Sequence, residues 1–190
     1  MKRLFLAPAF AVVLFLAACS GGNQSSDQSG ESSAPAATTD TSSAASSAAS
    51  ASTPGSDIPG IADVPVSTEI DLTGDDQMKF DKTLFKVKAG QDIKLTMKNI
   101  GKLPAAAMSH NVVILLPGTD VQAFGTAAVA AAATEHIPQN MINDVLAHTK
   151  MLGPGASDQI TVKFPKPGVY DFICTFPGHF ATMHGKIVAE

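Results

Sequence analysis

Cys174, His179 and Met183 fall at spacing C-x4-H-x3-M close to the C-terminus, in Cys174-Thr175-Phe176-Pro177-Gly178-His179-Phe180-Ala181-Thr182-Met183. The Pro-Gly pair marks this stretch as a loop between two strands. A second histidine, His110, stands 64 residues earlier at the head of its own apolar run, in Met108-Ser109-His110-Asn111. A thiolate, two imidazoles and a thioether make the ligand set of a trigonal copper site with a weak axial sulfur. Cu(II) prefers a tetragonal field, whereas Cu(I) prefers few, soft ligands. Three strong ligands in a plane with a weak sulfur on the axis suit both, so an electron can enter or leave with little rearrangement.

The cysteine count sharpens this reading. Only Cys19 and Cys174 exist, and Cys19 closes a different motif. Lys2 and Arg3 precede an apolar run from Leu4 to Leu16, followed by Leu16-Ala17-Ala18-Cys19. A basic start, a short apolar run and small residues describe a secretory signal, and the run falls short of the ~20 residues of a membrane span. The Leu-Ala-Ala-Cys ending resembles a bacterial lipobox, which implies acylation of Cys19 after removal of residues 1–18. Several acyl chains anchor a protein stably without crossing the bilayer. Ser20, in place of Asp, favours the outer membrane by Gram-negative sorting rules. Cys174 is then alone in an oxidising compartment, where an odd cysteine is bridged to another chain, reactive or metal-bound.

Residues 19–63 read as a tether. Ser, Ala, Gly, Thr and Pro dominate, without aromatics or apolar periodicity, so the segment cannot bury enough surface to offset its ordering entropy. A coil of about 40 residues spans ~35 Å. The folded domain is placed at 64–190, with room for one core. Ile93, Leu95 and Met97 alternate with lysines and threonine, as do Ile160, Val162 and Phe164, the pattern of half-buried strands. Further strands are expected over 68–72, 84–88, 111–116, 169–174 and 186–189. The Ala-rich stretch from Val121 to Glu135, with Val121, Phe124 and Val129 at helical spacing, is expected to form a helix outside the sheets. Many short antiparallel strands with one helical insertion predict an all-β Greek-key sandwich.

At this point the resemblance to a family is specific. Cys-Thr-Phe-Pro-Gly-His is similar to the copper loop of azurins and auracyanins, and Met183 falls at the azurin spacing. The likeness continues through residues 74–80, Leu103-Pro104, Met108 to Asn111 and Ala147 to Lys150, covering most of 68–190. Signal, lipobox and tether together resemble a lipid-modified azurin. The resemblance implies a cupredoxin-like fold, one type 1 copper ion held by His110, Cys174 and His179 with Met183 on the axis, and electron transfer without a small-molecule substrate. It further implies an opposite axial carbonyl from Ser109, where the family usually has Gly, and a role for Asn111 in joining the two ligand loops. It implies a solvent-facing edge of His179 inside an apolar surface drawn from Leu103 to Ala107, Phe176, Pro177 and Phe180. The family's disulfide is absent, Thr68 and Gly90 standing at its positions, and Val112 replaces a buried Trp.

Other residues read more plainly. His136, His148 and His184 are expected to be structural or solvated, and Met78, Met97, Met108, Met141 and Met151 to fill the core. The formal charge of −4 and the lack of a basic patch with interleaved aromatics exclude nucleic acid. Three classes stay open: a lipid-anchored electron shuttle in the periplasm or at the cell surface, a cysteine hydrolase, and a copper buffer or interaction module. The shuttle fits the residues best. Its partners would be redox proteins, for which a c-type cytochrome, a peroxidase or a nitrite reductase fits by resemblance.

Overall fold

The computed structural model describes residues 53–190. The signal segment 1–18, Cys19 and the tether up to residue 52 lie outside the described residues. Strands form where apolar and polar residues alternate. In chain order they are β1 (Glu69–Gly74), β2 (Leu84–Val87), β3 (Asp92–Asn99), β4 (Val113–Leu115), β5 (Val145–His148), β6 (Ser157–Lys163), β7 (Gly168–Ile173) and β8 (His184–Ala189), with helix α1 (Val121–Val129) between β4 and β5.

They assemble into a three-stranded sheet ordered β1-β3-β6 and a five-stranded sheet ordered β2-β8-β7-β4-β5. Two pairings, β1 with β3 and β2 with β8, are parallel, where the sequence suggested antiparallel strands throughout. The chain visits the other sheet for β2 before returning for β3, and such a crossover lets neighbours run the same way. Ile70, Leu72, Ile93, Leu95 and Met97 meet Phe85, Val87, Ile114, Tyr170, Phe172 and Ile187 between the sheets. Each such burial contributes about 1.5–3 kcal/mol.

All three residues of β4 are buried, because this strand is covered on both faces. Ile114 points into the sandwich. Val113 and Leu115 join Phe124, Ile137 and Ile173 in a second apolar cluster, to which α1 contributes Phe124. The helix is capped by Asp120, whose carboxylate accepts the Ala123 N–H at 2.9 Å. It ends at Val129, well short of Glu135. A 3-10 turn, Ala132–Thr134, and two left-handed residues, Glu135 and His136, follow. The apolar residue that must be buried after the turn is Ile137, so tertiary packing overrides alanine's helical propensity, and Val129 is left exposed.

The folded part begins before residue 64. Ser56 and Ile58 donate backbone bonds to Thr53 and Gly55, and a 3-10 turn at Ile61–Asp63 buries Ile61. Gly55 lies so close to Val188 and Val169 that an added Cβ would come within 3.0 and 3.1 Å of them. Ile58 and Ile61 were hidden by the polar average around them. Val169 is the second residue of β7 and Cys174 follows its last, so the chain joins the fold at the end away from Cys174. At the positions of the missing disulfide, backbone bonds close the corner: Thr68 O accepts from Lys94 N–H at 2.9 Å, and Gly90 N–H donates to Phe164 O at 2.8 Å.

Gly125, inside α1, makes room for the ring of Phe180, which an added Cβ would overlap. Alanine there gains about 1 kcal/mol of helix propensity but overpacks the contact at ~1–3 kcal/mol. Gly125→Ala should therefore lower the melting temperature, and the loss should shrink when Phe180→Ala removes the ring. Thermal melts of the single and double variants test this.

Candidate metal centre

Two loops meet at one end of the five-stranded sheet. Val113 of β4 pairs with Ile173 of β7, so the residues before β4 and after β7 lie side by side. Asn111 fixes them: its side-chain nitrogen donates to Thr175 Oγ1 at 2.8 Å, and its oxygen accepts the Thr175 N–H at 2.8 Å. Both bonds are buried, so losing one partner would leave the other unsatisfied. His110 is held in turn by paired backbone bonds with Leu152, of 3.0 and 2.8 Å. The loop from Cys174 to Met183 closes on itself, with Cys174 N–H donating to Met183 O at 2.9 Å and Met183 N–H to His179 O at 2.8 Å.

These constraints converge three donor atoms. Cys174 Sγ lies 3.9 Å from His110 Nδ1 and 3.7 Å from His179 Nδ1, and the two nitrogens are 3.2 Å apart. A triangle of this size is small enough for all three atoms to reach a single metal ion, whose bonds to nitrogen and sulfur run to about 2.0–2.3 Å. Soft sulfur and two imidazoles in a trigonal array suit copper. His110 Nε2 lies 3.0 Å from the Asp75 carbonyl. A carbonyl only accepts, so Nε2 carries the proton and Nδ1 turns its lone pair to the centre, the usual way an outer bond fixes a ligating imidazole.

The fourth residue, Met183, is fully buried. Its Cε and the Cδ2 of His110 would each lie 3.1 Å from a Cβ on Gly74, and Met97 Cε 2.9 Å. Gly74 thus lets Met183 and His110 close over one spot. Ser109, in place of the family's glycine, sends its hydroxyl to Ala105 O at 2.7 Å, tying His110 to the exposed turn of Leu103 to Ala107. Among the described residues Met97 and Met183 are the buried methionines, whereas Met78 is exposed and Met108, Met141 and Met151 are only partly covered, so most of the methionines expected in the core do not fill it. His148 and His184 are exposed, and His136 is half-buried.

His179 is less open than the sequence suggested, at 2 % exposure. Its Nε2 has no hydrogen-bond partner among the described residues, yet no buried side-chain nitrogen or oxygen there lacks one. The exposed sliver is therefore the Nε2 edge. Leu103 to Ala107 are exposed, and Phe176 and Phe180 half-buried; the Phe176 ring lies 4.7 Å from that of His179.

Two contributors escaped the sequence reading. Asp75 acts through its backbone carbonyl, which residue type does not reveal. Asn99, fully buried at the end of β3, donates to the carbonyls of Met108 and Leu152 at 3.3 and 2.9 Å and accepts Gly101 N–H at 2.9 Å. A polar residue closing an alternating strand was its only signal.

Burial governs the protons. It brings His179 down to about 4, with the neighbouring His110 adding to the shift, and lowers His110 against the opposing Asp75 carbonyl. It pushes the Cys174 thiol up to about 11, opposed by the backbone N–H groups of Asn111 and Phe176. A buried neutral thiol is a poor nucleophile, which argues against hydrolysis. Beside a divalent ion a coordinating thiol is deprotonated outright.

A profile of the plastocyanin/azurin family of copper-binding proteins matches residues 66–190. Azurin of Bordetella pertussis is 39% identical over 122 residues, 62% of this chain and 81% of the relative. Outer membrane protein H.8 of Neisseria gonorrhoeae is 36% identical over 119 residues, 61% of this chain and 64% of the relative. Among solved structures, reduced auracyanin from Roseiflexus castenholzii superposes with a TM-score of 0.60 at 36% identity, covering 66% of this chain and 99% of that one.

The shifted protons predict a dome of stability for the metal-free protein. From its ordinary 6.5 down to about 4, His179 stays neutral when folded but is protonated when unfolded. The unfolded chain then binds more protons, and stability falls as pH drops through that window. Between 9.0 and about 11 the folded chain keeps the Cys174 proton that the unfolded chain loses, so stability falls again as pH rises. Melting curves from pH 4 to 10 should show both declines, and Cys174→Ala should remove the alkaline one.

Proposed function

Because the chain belongs to the plastocyanin/azurin family of copper-binding proteins, we propose that it is a lipid-anchored electron carrier whose copper would be held by His110, Cys174 and His179, with Met183 as a weaker fourth donor. Bound there, one copper ion supplies one-electron exchange between Cu(I) and Cu(II). The observation that carries this reading is the triangle of Nδ1, Nδ1 and Sγ atoms with edges of 3.2, 3.7 and 3.9 Å. Cys174 would offer the strong sulfur ligand, as the thiolate. His110, pinned by Asp75, holds its lone pair on the centre without a rotamer search. His179 joins the centre to the surface through its ring. Met183 would offer a weak thioether donor, and the Ser109 carbonyl would be a further weak donor in this reading.

Each of these residues acts by staying put. Asn111 and Thr175 lock the two loops to each other, and the Cys174–Met183 backbone bond fixes the loop that carries three of the donors. The Nε2 edge of His179 is the place for an electron to cross, and the exposed Leu103 to Ala107 turn, tied to the His110 loop through the Ser109 hydroxyl, offers apolar surface. Apolar contacts of modest area suit docking that forms and dissolves quickly. Partners in this reading are redox proteins such as a c-type cytochrome, a peroxidase or a nitrite reductase.

The location rests on the sequence. Residues 1–18 as a signal, Cys19 as the acylated first residue and the Ser/Ala-rich tether would hang the domain from the outer membrane, in the periplasm or at the cell surface. The likeness to an outer membrane protein of Neisseria supports this. The tether joins the fold at the end away from Cys174, which leaves the metal end free to meet partners.

Three variants test the proposal. Cys174→Ser should abolish the intense visible absorption of the copper-loaded protein while circular dichroism keeps its sandwich signature. Met183→Leu should retain copper and raise the reduction potential, since the axial donor that favours Cu(II) is gone; an unchanged potential in a redox titration would remove Met183 from the ligands. Cys19→Ser should shift the protein from the membrane to the soluble fraction of cells, as fractionation and immunoblotting would read.

A further inference from the structure

Beyond the ligand loops, His136 sits in a backbone conformation that needs a reason. Glu135 and His136 are consecutive non-glycine residues with φ of 53° and 62°, a left-handed pair that persists only where its surroundings enforce it. Three bonds do so. His136 N–H donates to Ala131 O at 2.9 Å, its Nδ1 pairs with Ala128 O at 2.9 Å, and Glu135 Oε2 accepts Met151 N–H at 2.9 Å. The result is that the His136 ring is set edge-on against Phe176, with centroids 6.0 Å apart and planes at 62°. Phe176 in turn lies 4.7 Å from His179, whose other neighbour is the His110 ring at 5.0 Å.

We infer that His136 is a positioning residue: the strained turn after α1 aims its ring at Phe176, and Phe176 clamps the His179 imidazole in the orientation that faces Cys174 and His110. This rests on the reading of His179 as a copper ligand, but the clamp is a property of the chain itself. His179 has no hydrogen bond from Nε2 among the described residues to fix its ring as Asp75 fixes His110, so ring packing does that work instead. Edge-to-face pairs favour one arrangement over others, and releasing the outer ring frees the inner one.

Two substitutions separate the ring from the backbone. His136→Asn tolerates a left-handed φ and retains a donor for Ala128 O, but removes the ring. His136→Phe keeps a ring edge and loses that bond. In the full-length chain in detergent, copper release to excess EDTA should be roughly two- to tenfold faster for His136→Asn than for the parent, with unchanged melting of the metal-free form and a shifted visible band. His136→Phe should release copper at close to the parental rate. In the metal-free chain, NMR should report faster Phe176 ring flips for His136→Asn and near-parental flips for His136→Phe. Parental release and parental flips in His136→Asn would overturn the inference. Should His136→Asn not fold, His136→Phe decides: parental values support the clamp and faster ones overturn it. If the parent takes up no copper, the ligand reading fails while the ring-flip comparison still judges the clamp.

Discussion

Two imidazole nitrogens 3.2 Å apart beside a buried thiol form an arrangement that little else in a protein would tolerate. Burial favours the neutral form of all three, lowering the histidines, against the nearby Asp75 and Asp76 in the case of His110, and raising the cysteine. The donors are therefore assembled in advance, in the protonation state that costs least in a dry interior. A cation supplies the charge they lack and displaces a single proton. Much of the surrounding structure serves to keep this triangle from relaxing.

The enforcement is layered. The β4–β7 ladder sets the two loops side by side, and Asn111 and Thr175 exchange buried bonds across them. Asp75 decides which nitrogen of His110 is free, and Asn99 braces the loop leading to it. Gly74 and Gly125 contribute by omission: one leaves room for Met183 and His110, the other for Phe180. A framework of this kind resists the different geometries that the two oxidation states of copper prefer, and that resistance keeps electron exchange cheap in reorganisation.

Much of this was legible in the amino-acid order. The ligand types and spacing were plain, because Cys174, His179 and Met183 lie on one short loop. Strands β3 and β6 followed from period-two alternation. β5, from Val145 to His148, had no such alternation to mark it, and the parallel pairings depend on crossovers that no local pattern encodes. Helix α1 was drawn too long because alanine content reports propensity and not the need to bury Ile137. The start of the fold was set too late because two isoleucines were averaged away among polar neighbours. What acts through backbone, such as the Asp75 carbonyl, leaves no mark in residue type.

The ligand triangle stands ready before the metal arrives and is expected to move little when an electron does. X-ray absorption of the copper-loaded protein, recorded in both oxidation states, tests it most directly. It should report one short sulfur and two nitrogens, with nearly the same distances for Cu(I) and Cu(II). A coordination shell without the short sulfur, or one that gains oxygen ligands or loses a nitrogen on reduction, would contradict it.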